Sequence, residues 1–303
     1  MQKFLSIDVG GTNIKYALMQ EDASILEKGE VPTPKTNLED FVQILCDLYE
    51  KYKKEGLEAI VMAAPGRIDN VNGYFYTGGA LPYLYEVDMK SILADRIPIP
   101  FTVVNDAKAA ASAELTRGSM QGIQTGSVLT LGTGIGGSVI INGKVHNGPT
   151  GAAGEFSGIP SVWAKRVDCT EPCWADVNGV GALLKYYEKE KGIDSHSING
   201  RIFFEAVNQK EPEALRALEE YTSILAGGLY MLQFVLDCER IAIGGGISAQ
   251  PALIQSLNDS MDTLFEHVPS FFPVSRPEIV VCQHRNDANL IGALENYFLI
   301  NQA

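Results

Sequence analysis

A disulfide framework, a membrane-length apolar run and an excess of basic residues are all missing from this sequence. Its five cysteines are an odd number scattered over 303 residues, which favours reduced thiols. No apolar run approaches the roughly 18 residues of a membrane span, and the N-terminus shows no signal-peptide pattern. We therefore expect a cytoplasmic protein with no membrane partner.

The charge balance excludes one further class of partner. Lysine and arginine number 24 against 37 acidic residues, a formal net charge of −13. A chain with this excess of negative charge does not bind nucleic acid phosphates non-specifically, so we expect no nucleic acid partner. With 46% hydrophobic residues the chain can bury sizeable cores, and its length suggests two domains. A small-molecule partner fits this composition best.

A pair of glycines lies between two apolar runs in residues 4–19, FLSIDVGGTNIKYALM. Three interpretations compete for it: a dinucleotide-binding fingerprint, a P-loop, or a hairpin turn. Both nucleotide loops need a helix after the glycines, and neither GxGxxG nor GxxxxGK followed by Ser or Thr is present. The alternation of apolar residues predicts strand, turn, strand, and SILEKGEVP then predicts a third strand.

The rest of the first half predicts further helices and strands. Residues 37–54 place apolar residues at helical spacing behind a candidate cap, Asn37. The run LEAIVMAAPG predicts a buried strand that ends at Pro65, and GRIDNVNGYFYTGGALP predicts a turn-rich stretch. IPFTVVNDAKAAASAEL predicts a second buried strand that runs directly into an Ala-rich helix.

The opening pattern recurs in residues 127–141, SVLTLGTGIGGSVII, which indicates an internal duplication. Later, LQFVLDCERIAIGGGISAQPALIQSLNDSM predicts a helix, a short strand, three glycines and another helix. The composition shifts to small and polar residues near position 118. We therefore expect an α/β fold with two lobes across a central, ligand-binding cleft, residues 1–118 joined by a C-terminal helix over 288–303, and residues 119–287.

Both glycine hairpins carry groups that suit a phosphate. Turn N–H groups can point together at an anion, Thr12 adds a hydroxyl, Lys15 adds a charge, and Asp8 can hold a hydrated Mg²⁺. The plain alternative is an ordinary hairpin. Because the Gly-Thr chemistry occurs twice, phosphate binding is favoured for the set Asp8, Gly10, Gly11, Thr12, Lys15, Gly132, Thr133 and Gly134.

Two carboxylates are candidates for chemistry on a bound ligand. Asn105-Asp106 falls where an apolar strand enters a helix, at the strand end where α/β sheets bind ligands. Asp106 there can accept a hydroxyl proton during attack on a phosphoryl group, and a helix cap is the alternative for this pair. Glu155 can accept bonds from sugar hydroxyls or be a solvated loop residue. Gly79 allows a polar ligand to approach the backbone.

Cys169 and Cys173, in CTEPC, have a spacing that half a zinc site permits. A structural zinc needs two more ligands, and no close Cys or His supplies them, so we expect no zinc site. The four histidines are isolated from one another. Ala214, Leu218, Tyr221 and Leu225 repeat at helical spacing, which predicts core.

Taken together, these motifs resemble those of the ROK family of ATP-dependent sugar kinases, which have the actin-like ATPase (ribonuclease H-like) fold. They occur in the family's order and cover nearly the whole chain: IDVGGTNIKYAL at 7–18, AAPGRID at 63–69, VVNDAKAAA at 103–111, LTLGTGIGGSVI at 129–140, GAAGEF at 151–156 and IAIGGGIS at 241–248.

The resemblance implies a role for each matching residue and the cofactors ATP and Mg²⁺. Asp106 would be the catalytic base, and Asn105, Glu155 and Gly79 would contact the sugar. The glycine hairpins would hold the ATP phosphates, and Gly245 and Gly246 would border the adenosine. The resemblance also implies a homodimer.

The departures from the family pattern bear on the substrate. Many members follow GEFG with a His that serves sugar and zinc, whereas Ser157-Gly158-Ile159 stands here. Loss of that His leaves space for a substituent on O1 of the sugar, and the zinc-free pattern is similar to that of the β-glucoside kinases. We expect 6-phosphorylation of a β-glucoside such as cellobiose, with glucokinase, fructokinase or N-acetylmannosamine kinase activity as the alternative.

Two rivals from other classes are a sugar-responsive regulator and an actin-like polymer. The family's repressors carry a DNA-binding helix-turn-helix ahead of the kinase-like part, and here the first strand is expected at about residue 3. A polymer would give the sugar-site residues no purpose. Both rivals are therefore disfavoured.

Overall fold

The computed structural model describes residues 1–161, 171–193 and 198–301. Its internal contacts divide the chain into two compact units. The first unit consists of Met1–Gly118, Asn147–Ala153 and Asn286–Ala303. The second unit consists of Ser119–His146 and Gly154–Arg285.

The first unit is built on a five-stranded sheet. Its elements in chain order are β1 (Lys3–Val9), β2 (Asn13–Gln20), β3 (Ile25–Pro32), α1 (Leu38–Tyr52), β4 (Leu57–Ala64), β5 (Ile68–Asp69), β6 (Tyr74–Phe75), β7 (Val87–Asp88), α2 (Met89–Ala94), β8 (Phe101–Asn105) and α3 (Asp106–Arg117). The large sheet has the order β3-β2-β1-β4-β8. A small second sheet is formed by β5 and β6, which lie in the stretch predicted to be rich in turns, and by β7, which follows that stretch.

The strand directions in the large sheet set the position of the polar loops. β1 pairs antiparallel with β2, whereas β1, β4 and β8 run parallel to one another. The carboxyl ends of these three strands therefore share one edge of the sheet. The residues after each end, Gly10, Pro65 and Asp106, leave the sheet along that edge.

Helix α1 covers one face of this sheet and confirms the predicted amphipathic helix. Asn37 caps it by accepting the Asp40 N–H at 2.9 Å. Its apolar stripe, which includes Phe41 and Leu45, is buried in a core with β1 and β4. The stripe repeats at three and four residues, so one face of the helix is apolar and drives the packing.

The second unit repeats the arrangement. Its elements are β9 (Gly126–Leu131), β10 (Ile135–Ile141), β11 (Lys144–His146), α4 (Trp174–Asn178), α5 (Val180–Lys191), α6 (Gly200–Asn208), α7 (Pro212–Leu236), β12 (Arg240–Gly244), α8 (Pro251–Glu266) and β13 (Glu278–Val281). The order β11-β10-β9-β12-β13 again combines an antiparallel hairpin with two parallel strands. This recurrence agrees with the duplication indicated by the sequence.

The long helix α7 is the centre of the second unit's core. The four residues predicted there, Ala214, Leu218, Tyr221 and Leu225, are all buried. Tyr221 also makes two hydrogen bonds with Asn178: its hydroxyl donates to the Asn178 backbone carbonyl at 2.7 Å, and its backbone carbonyl accepts from Asn178 Nδ2 at 3.0 Å. The buried polar groups are thus paired, as a stable core requires.

The last helix, α9 (Ala288–Asn301), packs in the first unit against α3 and the sheet face opposite α1. Gly292 allows the approach, because a Cβ at that position would collide with the Ala109 carbonyl. Ser6 donates its hydroxyl to the Leu290 carbonyl at 2.7 Å. Within the described residues, no helix has the length and apolar character needed to cross a bilayer.

Candidate active site

The tip of the first hairpin is a turn that neighbouring residues hold in place. Gly10 donates its N–H to the Asn13 carbonyl at 3.0 Å. The Thr33 hydroxyl donates to the Gly10 carbonyl at 2.7 Å, the Thr33 N–H donates to the Thr12 carbonyl at 2.9 Å, and Lys35 Nζ donates to the Gly11 carbonyl. Thr33 and Lys35 follow β3 and carried no sequence signal. Three tip carbonyls are therefore occupied within the protein, which fixes the turn.

Asp8 is buried beneath this tip, with 8% of its surface exposed. Its Oδ1 accepts a hydrogen bond from Asn289 Nδ2 at 2.9 Å, and the register of β1 and β2 places Lys15 directly opposite. Burial raises the pKa of Asp8, and the Asn289 bond and the Lys15 charge oppose that rise. A buried carboxylate of this kind has the oxygen chemistry that suits a hydrated Mg²⁺.

Asn105 and Asp106 occupy the end of β8, on the same sheet edge as the first hairpin. Asn105 is buried, donates Nδ2 to the Gly66 carbonyl at 2.9 Å and accepts the Lys108 N–H at 3.2 Å. The alternative interpretation of Asn105 as a helix cap is thus confirmed. Asp106 is half-buried as the first residue of α3, and its Oδ1 accepts the Ala107 N–H at 2.8 Å.

The loop that contains Gly79 lies against the turn after β4. Gly79 has a φ of +55°, and a Cβ there would come within 3.1 Å of Pro65 Cβ. A Cβ on Gly11 would lie 3.7 Å from Ala80 Cβ, so the loop also reaches the hairpin tip. Gly79 itself is exposed. The loop therefore contacts both the hairpin tip and the Pro65-Gly66 turn, and Asn105 bonds the Gly66 carbonyl of the same turn.

The second unit brings its two glycine segments together in the same way. β9 and β12 run parallel, with Thr130 beside Gly244, so the hairpin tip and Gly245-Gly246 leave the same edge. Gly245 has a φ of +90° and approaches the Leu131 carbonyl so closely that no side chain fits. By contrast, a Cβ on Gly132 or Gly246 would meet nothing within 4 Å. There is space for a ligand beside both residues.

The second hairpin also touches the start of a helix. Gly132 donates its N–H to the Gly134 carbonyl at 3.0 Å and accepts the Val180 N–H at 2.8 Å, where α5 begins. A Cβ on Gly179 would collide with the Thr133 carbonyl. Helix N-termini carry partial positive charge, which suits an anion near this tip.

Glu155 is an exposed residue supported by β10. The preceding Gly154 has a φ of +84°, and a Cβ on it would lie 2.8 Å from Ser138 Cα. Phe156 packs directly over Gly137, where no side chain fits. These two close approaches place the backbone on either side of Glu155 beside β10, and the Glu155 side chain is in solvent. The exposure fits a solvated loop residue as well as a sugar ligand.

The predicted residues thus form one set in each unit. The first holds Asp8, Gly10, Gly11, Thr12, Lys15, Gly79, Asn105 and Asp106, and the second holds Gly132, Thr133, Gly134, Glu155, Gly245 and Gly246. Cys169 lies outside the described residues. Cys173 caps α4, and its thiol bonds Asp176 Oδ2 at 3.0 Å. Over residues 1–161, 171–193 and 198–301, no group of three metal-ligating side chains is present.

Relatives by sequence place the chain among sugar kinases. Residues 4–297 match the ROK family. A β-glucoside kinase of Klebsiella pneumoniae is 28% identical over 304 residues, which cover 97% of this chain and 96% of that protein. An N-acetylmannosamine kinase of Escherichia coli is 28% identical over 290 residues, which cover 95% of this chain and 96% of that protein.

Solved structures agree with the sequence comparison. A ROK family protein from Streptococcus pneumoniae in complex with sucrose gives a TM-score of 0.87 at 28% identity, over 99% of each chain. A ROK family glucokinase from Streptomyces griseus in complex with glucose and AMPPNP gives a TM-score of 0.81 at 25% identity, over 99% of this chain and 100% of that chain. The fold and these relatives define a carbohydrate kinase with the actin-like ATPase fold. The chain belongs to the ROK family.

Proposed function

We propose that this kinase transfers the γ-phosphoryl group of ATP to the 6-hydroxyl of a β-glucoside such as cellobiose. One observation carries the proposal: a carboxylate, Asp106, lies at the sheet edge that also presents the Gly10-Gly11 hairpin. Catalysis of phosphoryl transfer needs a base near the acceptor hydroxyl and donors around the phosphates, and one edge supplies both kinds of group.

Asp106 is the general base of the proposed reaction. Its carboxylate accepts the proton of the 6-hydroxyl as that oxygen attacks the γ-phosphorus in line, and the bond from phosphorus to the ADP oxygen breaks. Two features suit it to this role. The positive end of the α3 dipole favours the ionised carboxylate, and the bond from the Ala107 N–H fixes its orientation.

The nucleotide is held by the two glycine hairpins and by the triple-glycine turn. Backbone N–H groups at Gly11 and Gly134 face phosphate oxygens, and Gly245 and Gly246 border the adenosine. Asp8 would hold a hydrated Mg²⁺, and Lys15 adds charge near the phosphates. When bound, Mg²⁺ neutralises charge on the transferring phosphoryl group. The open space beside Gly132 and Gly246 supports this assignment.

The sugar is bound by Asn105, Glu155 and the backbone at Gly79. Both ends of the Asn105 side chain already bond within the protein, which orients it rigidly for any further contact. Glu155 accepts bonds from two neighbouring hydroxyls, because a carboxylate offers two oxygens. Its exposure keeps these oxygens free of desolvation cost before the sugar arrives.

The preference for a β-glucoside depends on the residues that follow Glu155. A Cβ on Gly158 would meet nothing within 4 Å, so open space replaces the His that many family members carry there. Overall identity does not decide the substrate, since the β-glucoside kinase and the N-acetylmannosamine kinase are each 28% identical to this chain. The absence of bulk at Gly158 favours acceptors with a group on O1.

A sugar panel tests the proposal. A coupled assay of ADP release should rank cellobiose and simple β-glucosides above glucose, fructose and N-acetylmannosamine, and NMR of the product should place the phosphate on O6. A clear preference for free glucose or N-acetylmannosamine would overturn the β-glucoside assignment and leave the kinase class intact. Absence of sugar-dependent ADP release with every acceptor would favour the regulator.

We also propose that the protein is a homodimer in solution, as its resemblance to the family implies. Light scattering coupled to size exclusion measures this directly. A mass near 32.9 kDa would show a monomer, and twice that value is expected.

A further inference from the structure

We infer that Lys108 is a positioning residue that anchors the loop Asn147–Ala153 and thereby sets the path of the chain into Glu155. The inference rests on the proposed function, because it assumes that Glu155 binds the sugar. Lys108 has no part in the chemistry described above. Its environment nevertheless requires an explanation.

Lys108 is a buried cation in an unfavourable place. It lies in the first turn of α3, two residues after Asp106, and only 2% of its surface is exposed. Burial disfavours an ammonium group, and the positive end of a helix dipole disfavours it again. Such a group is retained where acceptors offset both penalties. Lys108 Nζ donates to the carbonyl of Gly151, in the segment that precedes Glu155.

The segment that Lys108 reaches is a closed loop. The Ala153 N–H donates to the Asn147 carbonyl at 3.2 Å, which joins the two ends. Gly148 and Gly151 have φ values of +69° and +76°, a region that favours glycine. The loop therefore has a defined shape of its own.

Other contacts place this loop on the first unit. Asn147 Nδ2 donates to Asn70 Oδ1 at 3.4 Å, and Asn70 Nδ2 in turn donates to Asn296 Oδ1 at 2.8 Å. A Cβ on Gly151 would lie 3.0 Å from the Ile68 carbonyl. Lys108 supplies the charged bond in this set, and charged hydrogen bonds are the stronger ones.

The consequence concerns the residues that follow the loop. Gly151 precedes Glu155 by four residues, so the chain enters Gly154 and Glu155 from an anchored point. When the Lys108 bond is lost, the loop samples additional conformations, and only some of them place Glu155 where it can bind the sugar. Ground-state sugar binding then weakens, whereas ATP binding at the glycine hairpins does not change.

The test replaces Lys108 with Met, which keeps the stem and removes the ammonium group. We expect the KM for the sugar to rise about tenfold, in line with a charged hydrogen bond, with the KM for ATP unchanged. Lys108→Arg restores a cationic donor and should recover part of the sugar affinity. Hydrogen exchange should become faster in residues 147–155 of Lys108→Met and stay unchanged in α1.

The chain offers a matched control. Lys90 also donates Nζ to a backbone carbonyl, that of Val71 at 3.3 Å, but it is exposed. Lys90→Met should leave both KM values and the exchange of residues 147–155 at the wild-type level. A rise in the sugar KM of Lys90→Met would show that loss of any lysine has this effect and would count against the inference.

A second variant covers a failure to fold. Gly151→Ala leaves Lys108 intact and strains the loop through its φ of +76°, so it should raise the sugar KM without changing the KM for ATP. The inference is overturned if Lys108→Met folds and its KM for the sugar stays near the wild-type value. If Lys108→Met does not fold, the inference is overturned when the KM of Gly151→Ala for the sugar stays near the wild-type value. If the wild type phosphorylates no sugar, the proposed function fails, and the exchange measurement alone decides the anchoring.

Discussion

Asn289 donates its side-chain amide to the carboxylate of Asp8 at 2.9 Å, although 281 residues separate them in the chain. The bond connects the start of α9 with the base of the first glycine hairpin. Asn289 therefore orients the carboxylate that we propose for Mg²⁺. It belongs to the same candidate site as the glycines, yet it lies in a segment with no recognisable motif.

Asp8→Asn should separate stability from activity. Burial raises the pKa of Asp8 above its ordinary value of 3.8, so the folded state binds that proton more tightly than the unfolded state does. Ionised Asp8 therefore lowers stability at neutral pH, and this effect disappears as the pH falls towards 3.8. At pH 8 the Asn variant should have a higher melting temperature than wild type, with a free energy of unfolding about 1 kcal/mol larger. It should also lose kinase activity.

The pH dependence provides the check on that prediction. The difference in melting temperature between Asp8→Asn and wild type should narrow as the pH falls from 8 towards 3.8. A variant that is less stable than wild type at pH 8 would show that the carboxylate contributes more through its Asn289 and Lys15 contacts than burial takes away.

Asp106→Asn should reduce kcat by about 10²- to 10⁴-fold while the KM for the sugar stays near wild type. The amide keeps the size of the carboxylate and its ability to accept the Ala107 N–H, but it cannot take a proton. Asp95→Asn, at an exposed aspartate that ends α2, is the matched control and should be fully active. Near-normal turnover of Asp106→Asn would remove it from the role of base.

Gly132→Ala tests the second hairpin without straining the fold. A Cβ at Gly132 enters space that the protein leaves open, so the free energy of unfolding should change little. The KM for ATP should rise about tenfold. Gly227→Ala, in the middle of α7 and equally free of close neighbours, should stabilise the protein by about 0.5 kcal/mol and leave the KM for ATP unchanged. An unchanged KM for ATP in Gly132→Ala would contradict phosphate binding there.

Gly158→His tests the basis of substrate preference. The imidazole fills the open space at Gly158 and should lower kcat/KM for cellobiose at least about tenfold relative to glucose. Gly158→Ala adds a Cβ alone and should keep the wild-type preference. An equal loss of kcat/KM for cellobiose and for glucose would show that this position does not contact the group on O1.

The local part of the fold could be predicted from the sequence. The glycine hairpin, the capped helix after Asn37 and the strand that ends at Pro65 are all confirmed, because each depends on residues close together in the chain. The small sheet of β5, β6 and β7 was missed. Its strands have two residues each, and so short a strand gives no periodic pattern.

The sequence by itself determined the family, the main strands and helices of the two glycine hairpins and their flanking segments, and which glycines and carboxylates are candidates for chemistry. It did so because motifs and hydrophobic periodicity are local. Only the tertiary structure decided which distant residues support them: Asn289 on Asp8, Thr33 on the first hairpin, and Lys108 on Gly151. These contacts form between segments that the packed core brings together, and no pattern along the chain encodes them.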